Sequence, residues 1–317
     1  MKRAILFAGL VAFAGAFAKP NMIRVGANPD FAFAKSPDNK SAGEKSPIDK
    51  EYYIAAYPVT NGEYAEFLAE NKSVKPPKYW KNGAFPKGKS KHPVLEISYA
   101  DALKFCDWLS QKDKEFKYRI PTEAEWEYAA SGKSRKAYPW GNSAEISVSK
   151  SGEIKSKFNY NGVLVSELLS KRPPVKIVYN NKKSQFFGKS ELLKDAVSIT
   201  PSGGAIGWID HKNRAGFVYT DLFSEISESG GNTTPVDKYP ENKSDFGCRD
   251  MSGNSWDWTS TVSEAKNGAE KGRLVNAIRG GSWYATARSC SAVFRGEGRD
   301  AKGRYKTVGF RLAADKK

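Results

Sequence analysis

RGGSWYATARSCSAVFRGEGRDAKGRYKTVGFRL, residues Arg279–Leu312, is the stretch from which the fold is read. It opens on an Arg-Gly-Gly-Ser-Trp turn and closes on Val308-Gly309-Phe310-Arg311-Leu312, whose apolar alternation predicts a short strand. The paired glycines mark a place where the backbone takes positive φ or closely approaches another group. Ala287, Cys290, Ala292 and Phe294 alternate loosely with Arg288, Ser291 and Arg295, which predicts a buried strand. Gly296–Thr307 is almost without apolar residues and reads as an exposed loop, the surface at which a ligand would be met.

Upstream, helices are marked by their caps. Thr60 with Glu63 forms a capping box ahead of Tyr64, Phe67 and Leu68. Ser98 with Asp101 starts a second helix carrying Ala102, Phe105, Cys106 and Leu109, and Thr122 with Glu125 a third, short one reaching Ala130. Met22–Val25 and the apolar part of Glu51–Val59 read as strands, and the Lys- and Pro-rich Ser73–Lys91 as a surface loop. Three short helices among short strands point to an α+β domain rich in irregular structure.

Residues 1–18 have the layout of a secretory signal: Lys2-Arg3, the apolar Ala4–Phe17, and a small-residue cleavage site at Ala16-Phe17-Ala18. The apolar run is shorter than the ~20 residues of a membrane span, and no cysteine follows for a lipid anchor. The expectation is a periplasmic or secreted protein, not membrane-spanning, whose residues 19–317 form one domain. Eight Trp argue for a packed core, and 28 Gly with 16 Pro for many loops. The formal charge of +16 falls to +14 without Lys2 and Arg3, and suits a protein, peptide or acidic envelope partner. Scattered lysines in an exported chain argue against nucleic acid. Oligomeric state is left open.

The chemistry is bounded first by exclusion. Two histidines, His92 and His211, cannot supply a three-His metal centre, and neither accompanies a nucleophile motif for a Ser-His-Asp triad. Gly203-Gly204 and Gly230-Gly231 lack the Lys and the context of a phosphate loop. The cysteines number three: Cys106, Cys248 and Cys290, so at most one disulfide closes.

Arg279–Trp283, Cys290…Arg295 and Gly309-Phe310-Arg311 resemble the C-terminal signature of the formylglycine-generating enzyme, or sulfatase-modifying factor, family. So do Tyr57–Asn61, Arg119–Glu127, Tyr138–Asn142 and Gly253–Trp258, in the same order. The resemblance implies a C-type-lectin-like fold, with an expansion here at about 163–227 that holds Lys171, Arg172, Lys176, Lys182 and Lys183 and strands near Val175–Tyr179 and Gly216–Thr220. It also implies copper(I) held by two thiolates in the oxidising members, which suits soft sulfur donors. By position the first thiolate falls on Ala285 and the second on Cys290, so copper is not expected and Cys290, with Ser282, is left as a candidate reactive pair.

Calcium is the cofactor the resemblance implies. One ion would use Asp250, Asp257 and the carbonyls of Gly253 and Ser255; a second would use Asn159, the carbonyl of Tyr160, Glu228 and the carbonyl of Gly230. Oxygen donors of this kind suit a hard cation. Trp256, Trp283, Tyr284, Ala285, Thr286 and Arg295 are the candidate pocket. The function expected is an exported member of the family that lacks the copper cysteine-oxidase activity and acts as a binding or maturation factor through its C-terminal pocket. The alternatives are a peptide- or cofactor-modifying oxidase using Cys290 and a binder diversified by a retroelement, with Tyr284–Thr286, Phe294 and the following loop as its variable positions.

Overall fold

The fold was analysed in a computed structural model. It describes residues 19–148, 154–165 less the last, 175–178, 184–185, 198–201, 205–209, 215–219, 226, 228–265, 270–295 and 297–317. Residues 1–18, expected to be a secretory signal, lie outside the described residues.

The chain order is β1 (Met22–Val25), β2 (Ala32–Ser36), β3 (Asn39–Lys45), β4 (Tyr52–Ala55), α1 (Asn61–Glu70), α2 (Tyr99–Lys112), β5 (Phe116–Arg119) and α3 (Glu123–Ser131). Short strands follow: β6 (Ser147–Val148), β7 (Ile154–Lys155), β8 (Val175–Val178), β9 (Ser184–Gln185), β10 (Ser198–Pro201), β11 (Ala205–Ile209) and β12 (Ala215–Tyr219). The chain ends with β13 (Trp256–Glu264), β14 (Leu274–Arg279), β15 (Gly298–Arg299), β16 (Val308–Gly309) and β17 (Ala313–Lys316).

Each helix starts at its expected cap. Both capping boxes are closed: Glu63 accepts from the Thr60 amide at 2.7 Å, and Glu125 from the Thr122 amide at 2.8 Å. Ser98 accepts from the Asp101 amide at 3.2 Å. Tyr64 and Phe67 of α1 and Phe105, Cys106 and Leu109 of α2 enter one aromatic core with Phe310. All nine residues of α3 are buried, so this helix has no wet face.

Two four-stranded sheets frame the core. One sheet runs β1-β4-β17-β5, which places the C-terminal strand between two from the first half of the chain. The other runs β15-β14-β13-β16, with β16 parallel to β13. Within the expansion β12-β11-β10-β8-β9 form a separate five-stranded antiparallel sheet, and its strands at 175–178 and 215–219 are the two expected there.

The C-terminal stretch departs from the expectation in three ways. The segment around Cys290 is a 3-10 turn, Arg288–Cys290, not a strand. Ala287 and then Cys290–Val293 in succession are buried there, because the chain coils under the Gly-Gly turn. The strand predicted over Val308–Leu312 is split, since Arg311 turns inward between β16 and β17. The loop before it is half-buried and stapled down: Arg304 pairs with Asp101 and donates to the carbonyls of Lys75 and Pro76 at 3.0 and 3.1 Å. Ser73–Lys91, expected at the surface, contributes buried Val74, Tyr79 and Trp80. The hairpin β2–β3 was unmarked in the sequence; its Phe33 is covered by the Arg295 guanidinium, 3.6 Å from the ring centroid.

Buried arginines tie these parts together. Arg279, at the end of β14, donates to Glu123 at 2.9 Å, to Glu127, and to the Ala292 carbonyl at 2.8 Å. Burial pulls the Glu123 carboxyl up, but Arg279 and Arg295 outweigh it and hold it below its ordinary value. Removing one member of such a network strands the others in a low-dielectric interior. Arg279→Met is expected to cost about 3–5 kcal/mol in urea unfolding. Adding Glu127→Gln should return part of that loss, because one stranded charge is removed; strictly additive losses would contradict the coupling.

Candidate functional site

The buried loop between Arg249 and β13 is built from oxygen. Asp250 and Asn254 both take positive φ, 52° and 67°, and fold the loop back on itself. Asn254 is its staple. Its amide nitrogen donates to Asp250 at 3.1 Å and to the Thr234 carbonyl at 3.0 Å, and its oxygen accepts from the Thr234 amide at 2.9 Å. Asp257 accepts through one oxygen from Arg311 at 2.7 Å and from the Trp126 indole at 2.9 Å.

The other oxygens are left over. Asp250 Oδ1, Asp257 Oδ1 and Ser255 Oγ are buried without a hydrogen-bond partner, as are Asn242 Oδ1 and Ser252 Oγ. Burial pushes the Asp250 carboxyl up to about 7, and the neighbouring Asp257 adds to it. Buried oxygens without donors are costly, and a hard cation answers several at once. Among the described residues no three His, Cys, Asp or Glu side chains converge on a metal position. A cation here would therefore rest on two carboxylates with hydroxyl and carbonyl oxygens, a donor set that fits calcium. Of the expected carbonyls, that of Gly253 also accepts from the Ser255 amide at 2.9 Å.

The second expected set is not gathered in this way. The Tyr160 carbonyl accepts from the Val163 amide at 3.0 Å, Glu228 is exposed, and the Gly230 carbonyl faces the Lys89 ammonium at 3.4 Å. Asn159 Oδ1 is buried and unpartnered, while its amide nitrogen donates to the Asn232 carbonyl at 2.6 Å.

The thiol lies deeper than a reactive group needs. Cys290 is fully buried, 3.8 Å from the Ser282 carbonyl, and burial pushes its thiol far above the ordinary range. Gly281 at φ 79° explains the paired glycines: a Cβ there would lie 2.5 Å from the Cys290 sulfur, and one on Gly280 3.0 Å from Trp126. Ser282 is buried too, and its hydroxyl accepts from the Tyr284 amide at 3.3 Å, capping the turn. Cys248 sits in a different apolar cluster and Cys106 on α2; all three cysteines are free.

Of the candidate pocket residues, Trp256 and Trp283 are core, and Arg295 is engaged by Glu123 and Glu44. Tyr284, Ala285 and Thr286 are half-exposed. A cavity of about 450 Å³ opens instead between Tyr79, Lys81, Phe85 and Pro86 on one wall and Glu228 and Ser229 on the other. The Tyr79 hydroxyl is spent inward on Asn61 and the Leu95 amide, so its ring is what the cavity sees. Gly230 packs on Tyr79 and Gly231 on Trp283, which connects the cavity to the C-terminal motif. Sequence reading passed over this wall because its aromatic residues sit in a Lys- and Pro-rich segment.

A family model for the sulfatase-modifying factor enzyme 1-like domain matches residues 12–182 and 205–316. Curated relatives include the formylglycine-generating enzymes of Mycobacterium tuberculosis, 28% identical over 54% of this chain and 33% of that protein, and of Mus musculus, 25% over 72% and 45%. Another is the inactive C-alpha-formylglycine-generating enzyme 2 of Bos taurus, 25% identical over 66% and 46%. The matched part thus spans a third to a half of these relatives. Among solved structures, PvdO from Pseudomonas aeruginosa aligns with a TM-score of 0.54 at 21% identity, covering 93% and 94% of the two chains. Treponema denticola variable protein 1 aligns at 0.52 and 17%, covering 92% and 94%. Both share the fold.

Buried, high-pKa thiols are poor nucleophiles. Titration of the native protein with a thiol reagent is therefore expected to show no fast-reacting cysteine, and three thiols after denaturation. A thiol that reacts fast in the native state and disappears in Cys290→Ser would show that Cys290 is accessible.

Proposed function

The chain belongs to the sulfatase-modifying factor enzyme 1-like family, and from that premise we propose that it is an exported, calcium-stabilised binding or maturation factor. It does not carry out the copper-dependent cysteine oxidation of the family's oxidising members. The observation that carries this reading is Cys290, sealed under Gly281 and the Ser282 carbonyl, with Ala285 at the sequence position where the resemblance puts the first of the two thiolates. Copper(I) takes paired soft donors, and the other two thiols are buried elsewhere. The family's named relatives include both enzymes and an inactive member, so membership alone does not decide activity.

The ligand would be met at the cavity between Tyr79, Phe85 and Glu228 and along half-exposed Tyr284–Thr286. Aromatic walls with a lysine and a glutamate at the rim suit a peptide segment carrying both apolar and charged side chains. Excess positive charge would assist encounter with an acidic partner beyond the inner membrane. Asp250, Asp257 and Ser255, with the carbonyls of Gly253 and Ser255, would hold the calcium ion. Bound there, it would neutralise two buried carboxylates and fix the loop that leads into β13.

Two measurements on the purified protein test this. Calcium at a hundredfold excess over its Kd should raise stability by about 2.7 kcal/mol, and Asp250→Asn should remove that gain. With copper(I) supplied, a sulfatase-derived cysteine peptide should remain unoxidised. One tightly bound copper(I) with turnover of that peptide would overturn the reading.

A further inference from the structure

The turn over residues 228–233 is fixed by its own donors and by others from elsewhere in the chain. The Gly231 and Gly230 carbonyls both face the Lys89 ammonium, at 2.6 and 3.4 Å, and Gly230 also accepts from the Thr233 hydroxyl at 3.3 Å. The Asn232 carbonyl accepts from Asn159, and the Ile226 carbonyl from the amides of Ser229 and Gly231. Lys89 is itself held in place, since its own carbonyl accepts from the Asn61 side chain at 2.9 Å and the His92 amide at 3.2 Å. Gly230 and Gly231, at φ 83° and 71°, let the two carbonyls turn toward one point.

This is the turn at which the resemblance places a second calcium ion, and here the residues do not fit one. Glu228, the only carboxylate of the expected set, is exposed on the cavity wall. The Tyr160 carbonyl already accepts from the Val163 amide, which leaves it one lone pair. A divalent ion on the Gly230 carbonyl would meet a like charge already bonded to it. We infer that Lys89 is the second cation of this fold: its ammonium gathers the Gly230 and Gly231 carbonyls, and the chain takes one divalent ion rather than two. The turn then keeps its shape without external metal, and Glu228 is left to the cavity. The single divalent ion rests on the calcium reading above; the role of Lys89 does not.

The tests separate the two. Calorimetric titration of chelator-stripped wild-type protein with calcium is expected to give one equivalent, and two would overturn the inference. In chelator, Lys89→Ala should lower Tm by roughly 5–10 °C, the loss of two charge-assisted hydrogen bonds in a chain of this size. Propylammonium chloride should recover most of that shift, while sodium chloride at equal concentration should not. A Lys89→Ala protein with unchanged Tm, or one recovered equally by both salts, would overturn the role of Lys89. No calcium heat in wild type, with the propylammonium recovery intact, would remove the calcium site and leave the lysine in place.

Discussion

Arg311 is the constraint on which the fold depends. Its side chain is fully buried, and its donors reach Asp257, the carbonyls of Ala55 and Ala56, and those of Arg249 and Asp250. One residue near the C-terminus thereby joins the end of β4, the oxygen-rich loop and β13. Burying a guanidinium costs several kcal/mol unless its donors are met, and here carbonyls of irregular backbone meet them. The arrangement works in both directions, because the guanidinium gives these carbonyls a donor where the regular sheet ends; that of Ala56 also accepts from the Arg249 amide. A fold with short strands and few helices needs such a hub, since regular hydrogen bonding satisfies only part of its backbone.

Arg279 does the same for α3. A helix buried on every side, bearing Glu123, Glu125 and Glu127, is stable only if each carboxylate finds a donor. Arg119 forks onto Glu125 at 2.6 and 2.7 Å, and Arg279 reaches Glu123 and Glu127. The Glu127 carboxyl also accepts from the Ala34 amide, which brings in the β2–β3 hairpin. Each acid of the Arg119–Glu127 motif therefore has its partner in the chain's own arginines, two of which, Arg279 and Arg295, lie more than 150 residues away.

This explains what could be read from the sequence. The helix starts were legible because a capping box is closed within four residues, as at Thr60–Glu63 and Thr122–Glu125. Met22–Val25 and the core faces of α1 and α2 were legible from period alone. The 3-10 turn at Cys290 was not, since polar Ser291 is buried along with Cys290, Ala292 and Val293 beneath the two glycines, where alternation would place it outward. Nor was the half-burial of residues 297–307, because the reason lies in Arg304 reaching α2 and the 75–76 backbone. At the candidate site Asp250 and Asp257 were legible through resemblance. Asn254 as staple, Lys89 on the 230–231 carbonyls and the Tyr79–Phe85 wall were not, because each depends on contacts between distant segments.

The C-terminal motif itself is a packing device before it is a catalytic one. Its arginine serves α3, its first glycine makes room for Trp126, its second for Cys290, and its tryptophan packs against Gly231. None of these contacts requires an active thiol. The residues of the motif can therefore be kept under the demands of folding alone. The same close packing that preserves the signature also seals Cys290 from solvent, so the motif reports the fold faithfully and the chemistry hardly at all.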